Sequence, residues 1–335
     1  MASIHEVAKR AGVSITTVSR ALNNYSDISP ITKQMILDLC KELDYSPNPA
    51  ARSLASKKSN VIALILSDIK ETDSNGNIIY RLLLGTQATC NKQGYELIII
   101  FSNDQKQQKK SLNNLAIERN ICGVVIYGLK MTDPYYEEIS KLNFPCVTID
   151  VDTTHGDGGY AVVCTNNVEA AEEAVDLLYQ YGHCHIAMMN GSHDAYVSYI
   201  REIGFRNAMK KHNLEIVEGT ICYADYFEAK AYEQTKTMLM EHPEVTAIFA
   251  VSDIMAIGVF RAVYDLEKKI PQDIAVIGFD GIQAGEFTRP PLTTVYQNFK
   301  LMGSTAVNKV IQMIEGKPYD RVDFVPHELL LRQSV

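Results

Sequence analysis

Residues 3–24 read SIHEVAKRAGVSITTVSRALNN, and this stretch decides how the front of the chain folds. Ser3 ahead of Ile4, with Glu6 three residues on, forms a capping box. Ile4, Val7, Ala8 and Ala11 then recur at helical spacing, and Gly12 stops the helix. Ser14 caps a second helix that runs to about Leu22, with Val18 and Leu22 as its apolar stripe. Ser29 or Pro30 opens a third, with Ile31, Met35, Leu39 and Leu43 expected to face inward. Three short helices with a tight turn between the first two predict a helix-turn-helix domain over 1–46.

The hydroxyls of the second helix need a role other than packing. Ile15, Thr16, Thr17, Ser19 and Arg20 lie off its stripe. A helix in this position presents its first turns to base edges in the major groove. Thr meets a base edge or a thymine methyl, and Arg takes guanine. Ser14 and Asn23, at the two ends of the helix, complete the expected DNA-contacting set. Charge agrees with this division. Residues 1–60 carry eight Lys/Arg against five Asp/Glu, whereas the remainder carries 24 against 35. A mildly basic head on an acidic body leaves only the head to meet a polyanion.

Residues 48–56, NPAARSLAS, read either as a linker or as a brief helix too short to stand alone in water. Such a helix needs DNA or a second copy as its partner. Leu54 is an apolar wedge suited to a minor-groove base step. Asn48, Arg52 and Ala55 are the other expected contacts here, with Lys57 and Lys58 near phosphates.

From Val61 the pattern changes. VIALIL is a continuous apolar run, as in a buried parallel strand. Strands at 96–101, 123–127 and 146–150 alternate with helices near 77–93, 107–119 and 134–141. Helices at 168–181, 196–211, 227–241 and 252–265, with strands at 185–189, 246–250 and 274–278, form a second set. The fold class expected is α/β, with two Rossmann-like parallel-sheet subdomains behind the helical head. Ligands in such folds sit outside the carboxyl ends of the strands. Asp150, Arg201, Ser252 and Asp280 stand at such strand ends or on the adjoining helices. Carboxylates accept hydroxyls and Arg offers five donors, so the four are candidate contacts for a polar, polyhydroxylated ligand. Asp73 and Asn75 join them from the stretch 68–80. Tyr80, Tyr196 and Tyr226 are candidate stacking rings in a chain without Trp.

No enzyme is expected. Gly182, Gly191, Gly204 and Gly258 are not spaced as a phosphate loop. His183 and His185 flank Cys184 without a third ligand to make a zinc site. Asp225, Glu228 and Asp253 are not brought together by spacing, and Ser192–His193 lacks a nucleophile elbow. No cofactor and no metal are called for. The longest apolar runs fall short of a membrane span, the N-terminus is polar where a signal peptide is apolar, and seven scattered cysteines suit a reducing cytoplasm.

IHEVAKRAGVSITTVSRALNN (4–24) and YSPNPAARSLASKKS (45–59) resemble the head and hinge helix of the lactose/galactose repressor family of bacterial transcription regulators. REIGFRNAM, SDIMAIGV, IAVIGFDGI and PPLTTV resemble that family's sugar-binding core, shared with periplasmic binding proteins. The resemblance implies base reading by Ile15, Thr16 and Arg20, a minor-groove wedge at Leu54, and effector contacts at Asp150, Arg201 and Asp280. It places Ser252 where some members carry asparagine. It also implies a hinge at 47–60 and a core at 61–335, divided into one subdomain of 61–160 plus 293–320 and another of 161–292 plus 321–335. The expected partners are double-stranded palindromic operator DNA, a sugar or glycoside effector, and a second copy of the chain; no membrane is involved. One short head makes too little DNA contact for tight specific binding, which favours a homodimer. With no leucine-rich helix before Val335, a dimer is expected over a tetramer. Repression relieved by the sugar is the expected mode, in the cytoplasm at the nucleoid. A ligand that strengthens DNA binding is the alternative; a transport receptor would lack the head.

Overall fold

The computed structural model describes residues 3–22, 25, 27–45, 59–69, 76–153 and 159–335. Asn23, Asn48, Arg52, Leu54, Ala55, Asp73 and Asn75 lie outside the described residues. The chain divides into two compact units, residues 1–59 and 60–335.

In the first unit α1 (Ile4–Ala11), α2 (Ile15–Leu22) and α3 (Pro30–Glu42) enclose a small core of Val7, Ala8, Val18, Ala21, Ile36 and Cys40. Ser3 accepts a hydrogen bond from the Glu6 amide, and Gly12 at φ +64 closes α1 in the left-handed region that glycine tolerates. The inner face of α3 differs from the expected stripe. Ile31 is 84% and Met35 40% exposed, while Ile36 and Cys40 are buried. Apolar residues spaced by four turn about 40° further round the helix at each step. Ile31 and Leu43 therefore cannot share one face, and Leu43 alone of that pair packs on the core.

The second unit holds two six-stranded sheets. The first has the order β11-β5-β4-β3-β1-β2, from β1 (Val61–Ser67), β2 (Glu96–Ser102), β3 (Ile121–Tyr127), β4 (Cys146–Ile149), β5 (Tyr160–Cys164) and β11 (Val322–Phe324). The second has the order β12-β10-β9-β8-β6-β7, from β6 (Ile186–Asn190), β7 (Ile221–Tyr223), β8 (Ala247–Ala250), β9 (Ala275–Asp280), β10 (Thr293–Gln297) and β12 (His327–Leu330). All pairings are parallel except β10 with β12. VIALIL becomes a central strand because both its faces are covered. Ile62, Leu64 and Leu66 enter one core, and Ala63 and Ile65 the other.

Helices cover the sheets: α4 (Gly76–Gln93), α5 (Asp104–Lys109), α6 (Leu112–Glu118) and α7 (Pro134–Ile139) early in the chain, then α8 (Asn167–Gln180), α9 (Tyr196–Lys211), α10 (Glu228–Glu241), α11 (Asp253–Asp265) and α12 (Phe299–Ile314). The single helix expected at 107–119 is two, because Ser111 caps a new start by accepting from the Asn114 amide. α4 and α12 pack backbone to backbone. A Cβ at Gly85 would collide with the Lys300 carbonyl, and one at Gly303 with that of Leu82.

The crossovers between sheets fall elsewhere than expected. Residues 160–164 complete the first sheet, 293–297 belong to the second, and 322–324 return to the first. Each crossing strand pairs before the chain leaves its sheet, so the boundary falls after the strand and not before it. No described helix is long and apolar enough to cross a membrane.

Candidate functional site

In the head, Ser14 caps α2 by accepting from the Thr17 amide at 3.0 Å, and its hydroxyl meets that of Thr17 at 2.9 Å. These two hydroxyls are thus engaged in building the start of the helix. Ile15 is 40% exposed, and Thr16 and Arg20 are exposed with it. Positions 15, 16, 19 and 20 share one face of a helix. The Arg20 guanidinium is held ready but not buried. It pairs with Asp27 at 2.5 Å and lies 5.1 Å from the centroid of the Tyr25 ring. An apolar Ile15 beside Thr16 suits thymine methyl groups, and a freed Arg20 suits guanine.

In the core unit a cavity of about 410 Å³ opens at the carboxyl ends of the strands of both sheets. Asp150 follows β4, Asp280 ends β9 and Arg201 projects from α9, and all three line it. Each is nearly fully buried. Arg201 is fixed by three contacts: Nε donates to Asn167 Oδ1 at 2.8 Å, Nη1 donates to the Val251 carbonyl at 2.7 Å, and the guanidinium lies 3.7 Å from the Phe279 ring centroid. Asn167 in turn donates to Asp150 Oδ1 at 3.3 Å. Gln297 donates to Asp280 Oδ1 at 2.9 Å and accepts from the Thr165 hydroxyl at 2.8 Å. One guanidinium and two carboxylates are therefore oriented by two amide side chains, and Thr165 and Gln297, 132 residues apart, are tied together there.

Burial pushes the Asp280 carboxyl up to about 7, against the pull of Arg201 and the Gln297 hydrogen bond. Burial raises Asp150 too, opposed by Arg201 and Asn167. The Tyr127 phenol, also in the wall, is raised by burial and then by Asp280 and Asp150. A buried acceptor that is costly to ionise calls for a ligand with donors of its own.

Backbone strain gathers at the same place. Asp68 (φ 50°), Asp150 (59°), Asp225 (50°), Tyr226 (63°) and Asp280 (116°) are five of nine non-glycine residues with positive φ among the described residues, and all five line the cavity. Such conformations cost free energy and collect where function requires a set geometry.

Other expected residues are placed as follows. Ser252 does not line the cavity; it caps α11 by accepting from the Met255 amide at 3.3 Å. Tyr196 and Tyr226 line the cavity, whereas Tyr80 does not and is 58% exposed. Tyr226 is braced by its hydroxyl against Ser198 Oγ at 2.8 Å, and its ring fills the space a Cβ at Gly191 would take. His183 Nδ1 meets Thr246 Oγ1 at 3.0 Å. Asp225, Glu228 and Asp253 engage Lys230, Arg261 and Thr294 respectively. Sequence reading missed Asn167, Gln297, Asp68, Tyr127 and Lys130. Gln297, Asp68 and Tyr127 obey the same strand-end rule that singled out Asp280, and Asn167 opens the helix after β5 as Ser252 caps the one after β8; Lys130 carries no comparable local signal.

Comparison with known proteins follows the same division of the chain. The family model described as bacterial regulatory proteins, lacI family, matches residues 3–48, and one described as a periplasmic binding protein-like domain matches 175–335. The ribose operon repressor of Escherichia coli is 31% identical over 94% of this chain and 93% of its own length. The HTH-type transcriptional repressor PurR of Histophilus somni is 30% identical over 100% of this chain and 99% of its own. Among solved structures, a lac repressor dimer bound to operator and the anti-inducer ONPF superposes with a TM-score of 0.87, at 25% identity over 99% of this chain and 98% of that one.

Proposed function

The chain belongs to the lacI family of bacterial regulatory proteins, and from that premise we propose that it is a sequence-specific repressor of carbohydrate-metabolism genes, released from a palindromic operator when a sugar or glycoside fills the core cavity. The observation that carries this reading is the convergence of Asp150, Arg201 and Asp280 on one cavity of about 410 Å³. That volume holds a mono- or disaccharide, and among its polar groups Asp150 and Asp280 can each accept paired hydroxyls while Arg201 is a multiple donor. Tyr226 and Tyr196 supply flat apolar walls for the sugar ring.

The DNA contacts are Ile15, Thr16, Ser19 and Arg20 on α2, with Asn23 and with Asn48, Arg52, Leu54 and Ala55 of the following segment. Operator reading takes two heads, so the protein acts as a homodimer. The second copy covers the exposed apolar residues of β2 and α4. Ile99 and Phe101 lie on β2, an edge strand, and Tyr80 and Leu84 lie one turn apart on α4. Effector and operator then oppose each other through the dimer, each weakening the other's affinity by the same factor.

The test is operator binding by fluorescence anisotropy, with the operator found by selection from random DNA, against sugars, glycosides and purines. Release by a sugar supports the reading. A compound that tightens DNA binding instead would make this chain a corepressor-dependent regulator, and no sequence-selective binding at all would refute it.

A further inference from the structure

The two halves of the core touch through loops beside the cavity. The loop after β3 belongs to the first sheet and carries Lys130 and Met131; the loop after β6 belongs to the second and carries Asp194. Lys130 Nζ lies 2.7 Å from Asp68 Oδ2, on its own side, and 3.6 Å from Asp194 Oδ2, across the cleft. The Met131 amide donates to the Asp194 carbonyl at 2.8 Å. Asp68, Lys130 and Asp194 all line the cavity.

Each side of this contact is anchored to its own half. Asp133, buried at the start of α7, accepts from the Lys130 amide at 3.1 Å and from Ser67 Oγ at 3.0 Å. Asp194 accepts from the Ser192 hydroxyl within its own loop. The link therefore joins two braced loops and not two loose ones. The side chains of Lys130, Asp68 and Asp194 are 31, 26 and 29% exposed, so the charges are shielded more than a surface pair.

We propose that Lys130 and Asp194 are positioning residues for effector binding: a cross-cleft latch that holds the two halves together beside the cavity and sets how much sugar is needed to release the operator. This rests on the reading of the cavity as the effector site. Asp68 is what makes the latch reversible. When the halves separate, Lys130 loses Asp194 but keeps Asp68, and the part-exposed Asp194 keeps the Ser192 hydroxyl and gains water, so opening stays cheap. An effector entering a cleft already held in this way spends little of its binding on closure.

Hydrogen–deuterium exchange at the Met131 amide of the full-length, ligand-free protein tests this. Lys130→Met and Asp194→Asn should each speed exchange roughly fivefold. The double variant should be no faster than either, because both remove one contact. Raising NaCl from about 0.05 to about 0.5 M should speed exchange in the unmodified protein and leave Lys130→Met unchanged. Asp68→Asn, which leaves the cross-cleft partner in place, should not speed it. Unchanged exchange in both single variants, or a double variant that sums their effects, would overturn the latch. This measurement needs no ligand. A compound panel in which no sugar shifts operator binding would overturn the effector reading and leave the exchange result standing.

Discussion

Asp280→Asn removes a charge from the cavity and almost no volume, and its two effects should have opposite signs. In the unfolded chain this carboxyl titrates near its ordinary 3.8; in the fold, burial holds it near 7. Between those values the native state keeps a proton that the unfolded state has released. Stability therefore falls as pH rises from about 4 to about 7 and is level above that. The full loss is on the order of 4 kcal/mol at 1.36 kcal/mol per tenfold. Asparagine keeps the oxygen that accepts from Gln297 and cannot ionise. The variant should thus match the unmodified protein only below about pH 4, already exceed it by roughly 1–2 kcal/mol near pH 5, and exceed it by the full few kcal/mol at pH 8. Asp253, raised by its own burial and then by Asp280, retains part of the slope in both proteins, so the difference between them is the quantity to follow. Sugar binding should move the other way. An ionised carboxylate accepting hydroxyls contributes roughly 1.5–3 kcal/mol per bond, and the variant should lose at least about tenfold in effector affinity. Urea denaturation from about pH 5 to about pH 8.5, beside calorimetric titration of the sugar, reads both arms. If the stability difference between the two proteins is flat with pH, Asp280 is not the group holding the proton and the electrostatic account of the cavity is wrong.

Other outcomes follow from the same geometry. Arg20→Ala should cost about 1–3 kcal/mol on the selected operator and relax preference at one base pair, with melting unchanged because the side chain is exposed; an unaltered selected sequence would remove Arg20 from base reading. Arg201→Ala should abolish sugar-driven release while operator binding without sugar persists, and should also lower stability, since the Asn167 oxygen and Val251 carbonyl lose a charged donor; anisotropy with and without sugar separates the two effects. Gly191→Ala should push the Tyr226 ring off its brace on Ser198, costing about 1–3 kcal/mol of stability through overpacking and weakening the sugar; calorimetry showing an unaltered sugar affinity would exclude Tyr226 from the binding wall.

The head was legible in the sequence because what shapes it is local. Ser3, Gly12, Ser14 and Ser29 act on helix ends within three or four residues of themselves, and Val7, Ala8 and Val18 mark inner faces at one turn's spacing. Where that reading failed, at Ile31 and Met35, two candidate stripes coexisted on α3, and only packing against α1 and α2 chose Ile36 and Cys40. In the core, strand runs such as VIALIL and the polar residues just beyond them were visible, so Asp150 and Asp280 could be named without knowing what lay opposite. What the sequence could not contain is which strand ends meet. Gln297 reaches Asp280 and Thr165, Arg201 reaches Asn167, and Lys130 faces Asp194 because strands from two crossovers end around one cavity. Those distances depend on sheet order and on where the chain crosses between sheets, and short-range periodicity carries neither. The chemistry of the site was written into single residues; its partnerships, its strained backbone and its latch arise only when distant segments are packed together.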